Sequence, residues 1–469
     1  MALTAIRGGT VVTVDANRRI IPDGGVLIED DSIAWIGPSV SMPPLGGARL
    51  IDATGAVVMP GLVNAHTHVA QCLLRGGLSH SRRLYDWLLN VVCPGLAQYG
   101  PGDHRSAIRL YTAEAIHSGI TTIVTNEEPD YSDSEKATRI ALDAFGETGL
   151  RVVYARMFRD RLSSGAAALF REERAKGPEL ADVPTVVSLE RTLTELERLH
   201  HAYNQGWGRR LAVWPSPATT ASTSPEALRR TAELADRLGT RWALHLAETT
   251  LEGEVRGISP VCYLDGLGVL GTRLLAAHCV HVDDDDIALL ASRRVNVVTL
   301  PVSNCYLGSG IAPLPRLRDA GVTVAIGTDD ANCNDSVNLF ADMKFLALLH
   351  RGLTRDPTVL SPGCVLEMAT IDGARALGLD DRVGSLEVGK RADVIVTRLD
   401  RPQTTPAHDV VATLLFQAYG SEVDTVLVDG QLLLEKGQLA RADEDEVCRD
   451  AQQRSQRLAA RAGLHWDPR

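Results

Sequence analysis

Eight short apolar runs recur through the middle of this chain, and the stretches between them carry helical spacing. The runs are VVMPGLVNAH (57–66), TTIVTN (121–126), LRVVYARM (150–157), RLAVWP (210–215), RWALHLAE (241–248), LLAAHCV (274–280), VNVVTLP (295–301) and VTVAIGTD (322–329). Intervening segments such as SPEALRRTAELADRLG (224–239) and VDDDDIALLASRR (282–294) are amphipathic, with Ser or Asp near the start. Eight β/α units in about 270 residues predict an α/β fold, a closed TIM-like (β/α)8 barrel, over an open doubly wound sheet.

The two ends of the chain read differently. TVVTVD, GGVLIEDDSIAWIG and LIDATG at one end, and SLEVGKRADVIVTRLD and DTVLVDGQLLLEKG at the other, are short β-branched runs broken by Gly and Asp. Together they predict one small discontinuous β-sandwich domain. The expected organisation is residues 1–56 and 381–440 for the sandwich, 57–380 for the barrel, and a C-terminal helix over 441–469.

Composition narrows the function classes. Aromatic residues are 4% of the chain, so the core is built from Val, Leu, Ile and Ala. Net charge is −11 with no basic run, which argues against nucleic acid as a partner. No apolar run reaches 18 residues, which argues against a membrane span, and MALTAIRGGTVVTV lacks the pattern of a secretion signal. The eight cysteines form no CxxC pair, so reduced thiols and a cytoplasmic location are expected.

The chemistry sits at the ends of the runs. His66 and His68 close the first, on one face of a strand by their spacing of two. His245 ends the fifth, with Glu248 three residues on; His278 ends the sixth and Asp329 the eighth. In a barrel these ends converge on one mouth. Three imidazoles and a carboxylate from this set suit a single divalent ion, Zn2+ or Fe2+, with room for water. Any one of these residues alone reads as packing, a turn or a helix cap. The joint pattern does not. His281, in AHCVH, is the close rival of His278.

PGLVNAHTH, LHLAE, AHCVH, VSNCYLGSGIAP and IGTDDANCND resemble the amidohydrolase superfamily. LLRGGLSHSRRLYDWLLNVVCPG, RVVYARMF, VWPSPATT, MATIDGAR and PQTTPAHDVVATLLFQAYGSEVDTVLVDG narrow the resemblance to its s-triazine hydrolase group, the melamine deaminases and atrazine chlorohydrolases, along nearly the whole chain. The resemblance implies one metal bound by His66, His68, His245 and Asp329, catalytic roles for Glu248 and His278, and a homo-oligomer. A divalent ion makes hydroxide available near neutral pH. Glu248 would then move the water's proton to a ring nitrogen, His278 would orient the nucleophile, and Asp329 would accept a proton as well as bind metal.

The leaving group separates the members of the group. An amine needs a proton to leave, whereas chloride does not. At Asp330 and Cys333 the deaminases carry the same Asp and Cys and the chlorohydrolases Asn and Ser; Leu84 also matches the deaminases, which favours deamination. Against this, Thr219, Ala221 and Gly257 lack the deaminases' bulkier side chains, Thr125 matches neither, and strand alternation would point Asp330 away from Asp329. PSPA (215–218) stands where purine deaminases of the superfamily show a PHAP-like segment, which argues against an adenosine-type substrate.

Expected contacts to a small heteroaromatic substrate are Gln71, Leu84, Trp87 and Leu88 from the loop 69–98, with Asn126, Met157 and Asn304. Trp87 would stack on a flat ring. The expected function is a metal-dependent aminohydrolase of amino-substituted s-triazines such as melamine. The alternatives are a triazine chlorohydrolase, a purine, pyrimidine or pterin deaminase, and a non-catalytic barrel scaffold.

Overall fold

A computed structural model describes residues 2–78, 81–128, 134–161, 186–204 and 206–465. Eight parallel strands occupy its middle: β1 (Leu62–Thr67), β2 (Ile120–Glu127), β3 (Arg151–Phe158), β4 (Leu211–Pro217), β5 (Trp242–Leu246), β6 (Leu274–His278), β7 (Asn296–Thr299) and β8 (Thr323–Ile326). They pair in sequence order as two four-stranded sheets.

Backbone contacts join the sheets at both seams. Thr219, just beyond β4, bridges His245 of β5 in parallel, and the His245 N–H donates to the Ala218 carbonyl at 3.1 Å. At the other seam the Asp329 N–H donates to the His66 carbonyl at 3.1 Å. Gly327 makes that approach possible, since a Cβ there would lie 2.8 Å from the His66 carbonyl oxygen. The eight strands therefore form a ring.

Side chains alternate as strand geometry requires. Val63, Ala65, Val124, Val153, Ala155, Trp214, Ala243, Leu275, Ala277, Val298 and Ala325 pack together inside the ring. Leu244, Leu246, Ala276, Val297, Val324 and Ile326 face outward into the larger core shared with the helices. Small and medium aliphatic side chains fill the lumen, so the barrel is a packed core and chemistry is confined to its ends.

The first apolar run, 57–66, proves to be two strands. Ala56–Pro60 leaves the barrel and pairs antiparallel with Val394–Arg398, Met59 opposite Ile395. Gly61 separates it from β1, because a Cβ there would collide with Thr121 at 2.1 Å. That pairing merges the strands of both chain ends into one nine-stranded sheet. The sheet curls: the Ile33 N–H donates to Lys390 at 2.9 Å and the Ala392 N–H to Asp31 at 2.9 Å. It encloses a core of its own, including Ile6, Val26, Ile28, Ile33, Val58, Val394 and Leu427. The two layers expected of the sandwich are thus one folded-over sheet. Arg151 of β3 ties it to the barrel through Asp393 at 3.0 Å and Asp429 at 2.6 Å, all three side chains buried.

The tail forms a helix over Glu444–Arg461, capped by the Asp443 side chain. Arg461 reaches Asp103 of the helix Pro101–His117 at 2.9 Å. Residues 79–80 of the substrate loop and 466–469 of the expected tail helix lie outside the described residues. Among the described residues no helix is long and apolar enough to cross a membrane, and no disulfide links the cysteines.

Candidate metal centre

Five buried side chains meet at the C-terminal mouth of the barrel. The His66 ring lies 5.0 Å from that of His68, 4.9 Å from His245 and 5.7 Å from His278, centre to centre. The Nε2 atoms of His68 and His245 are 3.1 Å apart. Asp329 Oδ1 lies 3.5 Å from His66 Nε2 and 3.7 Å from His68 Nε2.

Local irregularities aim these groups. The pairing of β1 with β2 slips between Asn64 and Thr67, which shifts the alternation after Ala65 and turns His66 and His68 together toward the mouth. Ala276 faces outward, so alternation would send His278 outward too; instead His278 takes a left-handed backbone, φ 75°, and turns in. Asp329 also has a left-handed backbone, φ 59°; alternation from Ala325 already turns its side chain inward, and the turn redirects the residue after it. Left-handed conformations at non-glycine residues cost energy, and here they fall at the ends of functional strands.

The donor set fits a divalent cation. His245 Nδ1–H donates to the Ala218 carbonyl at 3.0 Å and His278 Nδ1–H to the Asn304 side-chain oxygen at 2.9 Å, so each Nε2 lone pair faces the centre. The buried Nε2 atoms of His66 and His278 have no hydrogen-bond partner. Burial holds His66 below the ordinary imidazole range, His245 well below it, and His68 down to about 3, so these rings offer neutral lone pairs. Burial works against ionisation of Asp329, but its hydrogen bond with His66 and the charge of His278 prevail and keep the carboxyl well below its usual range. Ser303 Oγ donates to Asp329 Oδ2 at 2.6 Å and leaves Oδ1 turned to the imidazoles.

Beside this cluster Glu248 Oε2 stands 3.6 Å from His278 Nε2. Burial pushes the Glu248 carboxyl up to about 7. For His278, burial lowers the pKa, but the Glu248 and Asp329 carboxylates more than offset it and the net shift is upward. A carboxyl close to neutrality can both accept and release a proton.

A cavity of about 90 Å³ opens over the cluster. Gln71, Leu84, Trp87, Leu88, Asn126 and Met157 line it, with Glu248, His278, Asp329 and Asp330. The segment bearing Trp87 is a helix from Leu84 that widens into a π turn over Leu88–Val92. Asn304 is not in the lining: its side-chain oxygen is occupied by His278, so it supports that ring instead of substrate. Strand alternation fails at Asp330. The left-handed turn at Asp329 sets the two carboxyls side by side, with ligand atoms of Asp329, Asp330 and Cys333 within 4.8 Å of one another. Burial, followed by the neighbouring Asp329 charge, raises the Asp330 carboxyl well above the usual range. Cys333 lies behind this pair, off the cavity wall, packed on Trp87, Val91, Val92 and Leu307, with Sγ 3.2 Å from Ser303 Oγ.

Sequence reasoning missed Glu127 and Glu252, both buried in the wall. Glu252 accepts from Thr220 Oγ at 2.7 Å and from the Glu248 N–H at 3.3 Å, and its spacing of four from Glu248 was the available signal. Glu127 ends β2, and a strand-end carboxyl next to Asn126 could have been read the same way.

The S-triazine hydrolase of Gordonia rubripertincta is 36% identical over 488 residues, covering 99% of this chain and 98% of its own. The 5-methylthioadenosine/S-adenosylhomocysteine deaminase of Pelotomaculum thermopropionicum is 35% identical over 466 residues, covering 98% and 100%. Among solved structures, an adenosine deaminase from Xanthomonas campestris with bound zinc matches with a TM-score of 0.86 at 28% identity, over 97% of this chain and 98% of that one. An atrazine chlorohydrolase from Arthrobacter aurescens TC1 complexed with zinc matches with a TM-score of 0.84 at 26% identity, over 98% and 100%. Residues 57–433 match the amidohydrolase family model. With the barrel, the His and Asp cluster at its mouth and these relatives in agreement, the chain belongs to the amidohydrolase family of metal-dependent hydrolases.

Proposed function

We propose that this protein is an aminohydrolase that removes exocyclic amino groups from amino-substituted s-triazines, melamine foremost, releasing ammonia. The observation that carries this reading is the Asp330 carboxyl, which lines the cavity beside Asp329 and whose hold on a proton is strengthened by burial and by that neighbour's charge. An amine leaves only with a proton, and Asp330 is the cavity-wall group to which we assign its delivery. An amide at this position, as in the chlorohydrolases the sequence resembles, would suit chloride.

His66, His68, His245 and Asp329 would hold one divalent ion, Zn2+ or Fe2+, which when bound makes water acidic enough to attack near neutral pH. Glu248 takes the attacking water's proton and delivers it to a ring nitrogen, which makes the adjacent carbon more electrophilic. His278, fixed by Asn304, orients the attack. Trp87, Leu88 and Met157 form apolar walls suited to a flat ring, and Asn126, whose buried side-chain oxygen has no partner, can accept from a ring amino group. Cys333 shapes Asp330 and Ser303 from behind. The expected self-association would cover the exposed Phe345, Leu348 and Leu353 of the helix Leu339–Thr354.

A second reading, deamination of adenosine-type nucleosides, is favoured by relatives with that activity. One feature weighs against it. Ser216 stands in the segment where purine deaminases show histidine, and its hydroxyl already accepts from Asn126 Nδ2 at 3.1 Å.

The test is product analysis by mass spectrometry with melamine, ammeline, atrazine, methylthioadenosine and a pterin. Ammonia from melamine with little turnover of the nucleoside is expected. Turnover of the nucleoside alone, or chloride from atrazine without ammonia from any triazine, overturns the reading.

A further inference from the structure

At the opposite end of the barrel from the metal centre, the starts of strands β3 to β6 enclose a second cavity of about 580 Å³. Its wall carries Arg151 at the start of β3, Arg209 and Arg210 before β4, Arg241 before β5, Arg273 before β6, and Arg382 beyond the helix Ile371–Leu377. Among the described residues no acidic side chain lines it.

The charges do not balance. Arg151 is matched by Asp393 and Asp429, and Arg273 by Asp236 at 2.5 Å. Arg209, Arg210, Arg241 and Arg382 make no ion pair among the described residues. What holds them is neutral: Arg241 donates to the carbonyls of Thr272 and Arg375, the latter at 3.0 Å, and Arg210 to the Gln431 side-chain oxygen at 3.2 Å. Carbonyls fix a guanidinium in place without neutralising it. Arg151 Nη1, on a side chain only 3% exposed, and Arg382 Nη2 are buried nitrogens with no partner at all. Burial depresses Arg210, Arg241 and Arg382 below the ordinary guanidinium range, as expected for cations short of an anion. In a chain of net charge −11, four unmatched cations around one hollow need a physical reason.

We propose that this cavity binds a multiply charged phosphate compound, of the pyrophosphate or nucleoside di- and triphosphate class, at a site separate from the metal centre. Planar guanidinium forks match phosphate oxygens in pairs, and a ring of guanidiniums without directly paired carboxylates suits a polyanion. The cavity exceeds what a single phosphate fills, and Val153, Trp214, Leu377 and Leu379 give it an apolar side for the remainder of the ligand. Trp214 and Val153 are also lumen residues of the barrel core, so ligand binding stabilises the barrel from below.

The test uses the full-length, metal-loaded protein, with pyrophosphate and ATP as separate probes in titration calorimetry and thermal melts, ionic strength held constant with sodium chloride. Saturable binding of one ligand per chain and a raised melting temperature are expected with either or both probes. Arg241→Gln and Arg382→Gln should each weaken binding by about tenfold, the loss of a charge-assisted pair. Arg209→Gln lies on the exposed rim; it should weaken binding a few-fold without lowering the ligand-free melting temperature, and so carries the test if the inner variants fold poorly. Arg49→Gln, paired with Glu435 on the end sheet, should bind as the parent does. No saturable binding, or binding unchanged in Arg209→Gln and the inner variants, overturns the proposal; heat from chelation of the metal would behave in this second way.

Discussion

His278 Nδ1 and the side-chain oxygen of Asn304 lie 2.9 Å apart, and this one contact decides which nitrogen of His278 faces the cluster at the barrel mouth. With Nδ1 protonated, Nε2 points at Glu248, 3.6 Å away. Asn304→Leu releases the ring without touching a metal ligand. We expect kcat to fall about 10- to 100-fold, as for loss of other supports to functional histidines, with metal content unchanged and the pH profile altered. Parent-like kcat and pH profile in Asn304→Leu would show that the contact is only packing.

Gly327 closes the barrel where Asp329 meets β1. A methyl group there would sit 2.8 Å from the carbonyl oxygen and 2.9 Å from the nitrogen of His66, and both are backbone atoms. Gly327→Ala must therefore displace His66. Metal affinity should drop about 10- to 100-fold although every ligand remains. Metal analysis after equilibration with a competing chelator measures this; full retention would mean that His66 is not a ligand or that the seam yields freely.

Glu127 sets a pH dependence of stability. Burial lifts its carboxyl from the usual 4.5 to about 7, despite hydrogen bonds from Thr125 and from the Ala70 N–H at 3.3 Å. The folded protein thus binds a proton that the unfolded chain gives up. This contribution is complete below the unfolded value of 4.5 and is lost as pH rises through about 7. The shift corresponds to about 3 kcal/mol. Glu127→Gln removes it, so urea unfolding should show the variant gaining on the parent between about pH 5 and about pH 8. Parallel stability curves for the two proteins would contradict the assignment.

Arg151 holds the end sheet to the barrel through two buried carboxylates. Arg151→Ala strands both charges, and a loss of about 3–5 kcal/mol in unfolding free energy is expected. Chemical denaturation measures it. A loss below about 1 kcal/mol would place the strength of this junction in the apolar contacts instead.

The sequence made the catalytic end of the barrel legible because spacing and residue type both report there. His66, His68, His245, His278 and Asp329 all stand at the ends of apolar runs, and the chain brings those ends together. What periodicity does not encode is the left-handed backbone at His278 and Asp329. Both carry a Cβ and neither is marked by an adjacent glycine; the turn at His278 reverses the alternation of its own side chain, and the turn at Asp329 that of Asp330. Asp330 was therefore read as facing away from Asp329. Asn304 stands among the expected substrate contacts, yet the His278 ring takes its oxygen first. The division of 57–66 into two strands was hidden because both halves are equally apolar, and only the crowding of Thr121 against Gly61 forces the break. The arginine cavity is invisible in one dimension: its members are spread from residue 151 to residue 382 and share no motif.

The pairing of Met59 with Ile395 has a consequence in time. β1, which carries His66 and leads into His68, begins two residues after a strand whose partner emerges from the ribosome more than three hundred residues later. Until then the nascent chain carries an unsatisfied apolar edge immediately before its first metal-facing strand. Premature termination anywhere upstream of Val394 therefore yields a chain in which the strand leading into His66 lacks its antiparallel partner.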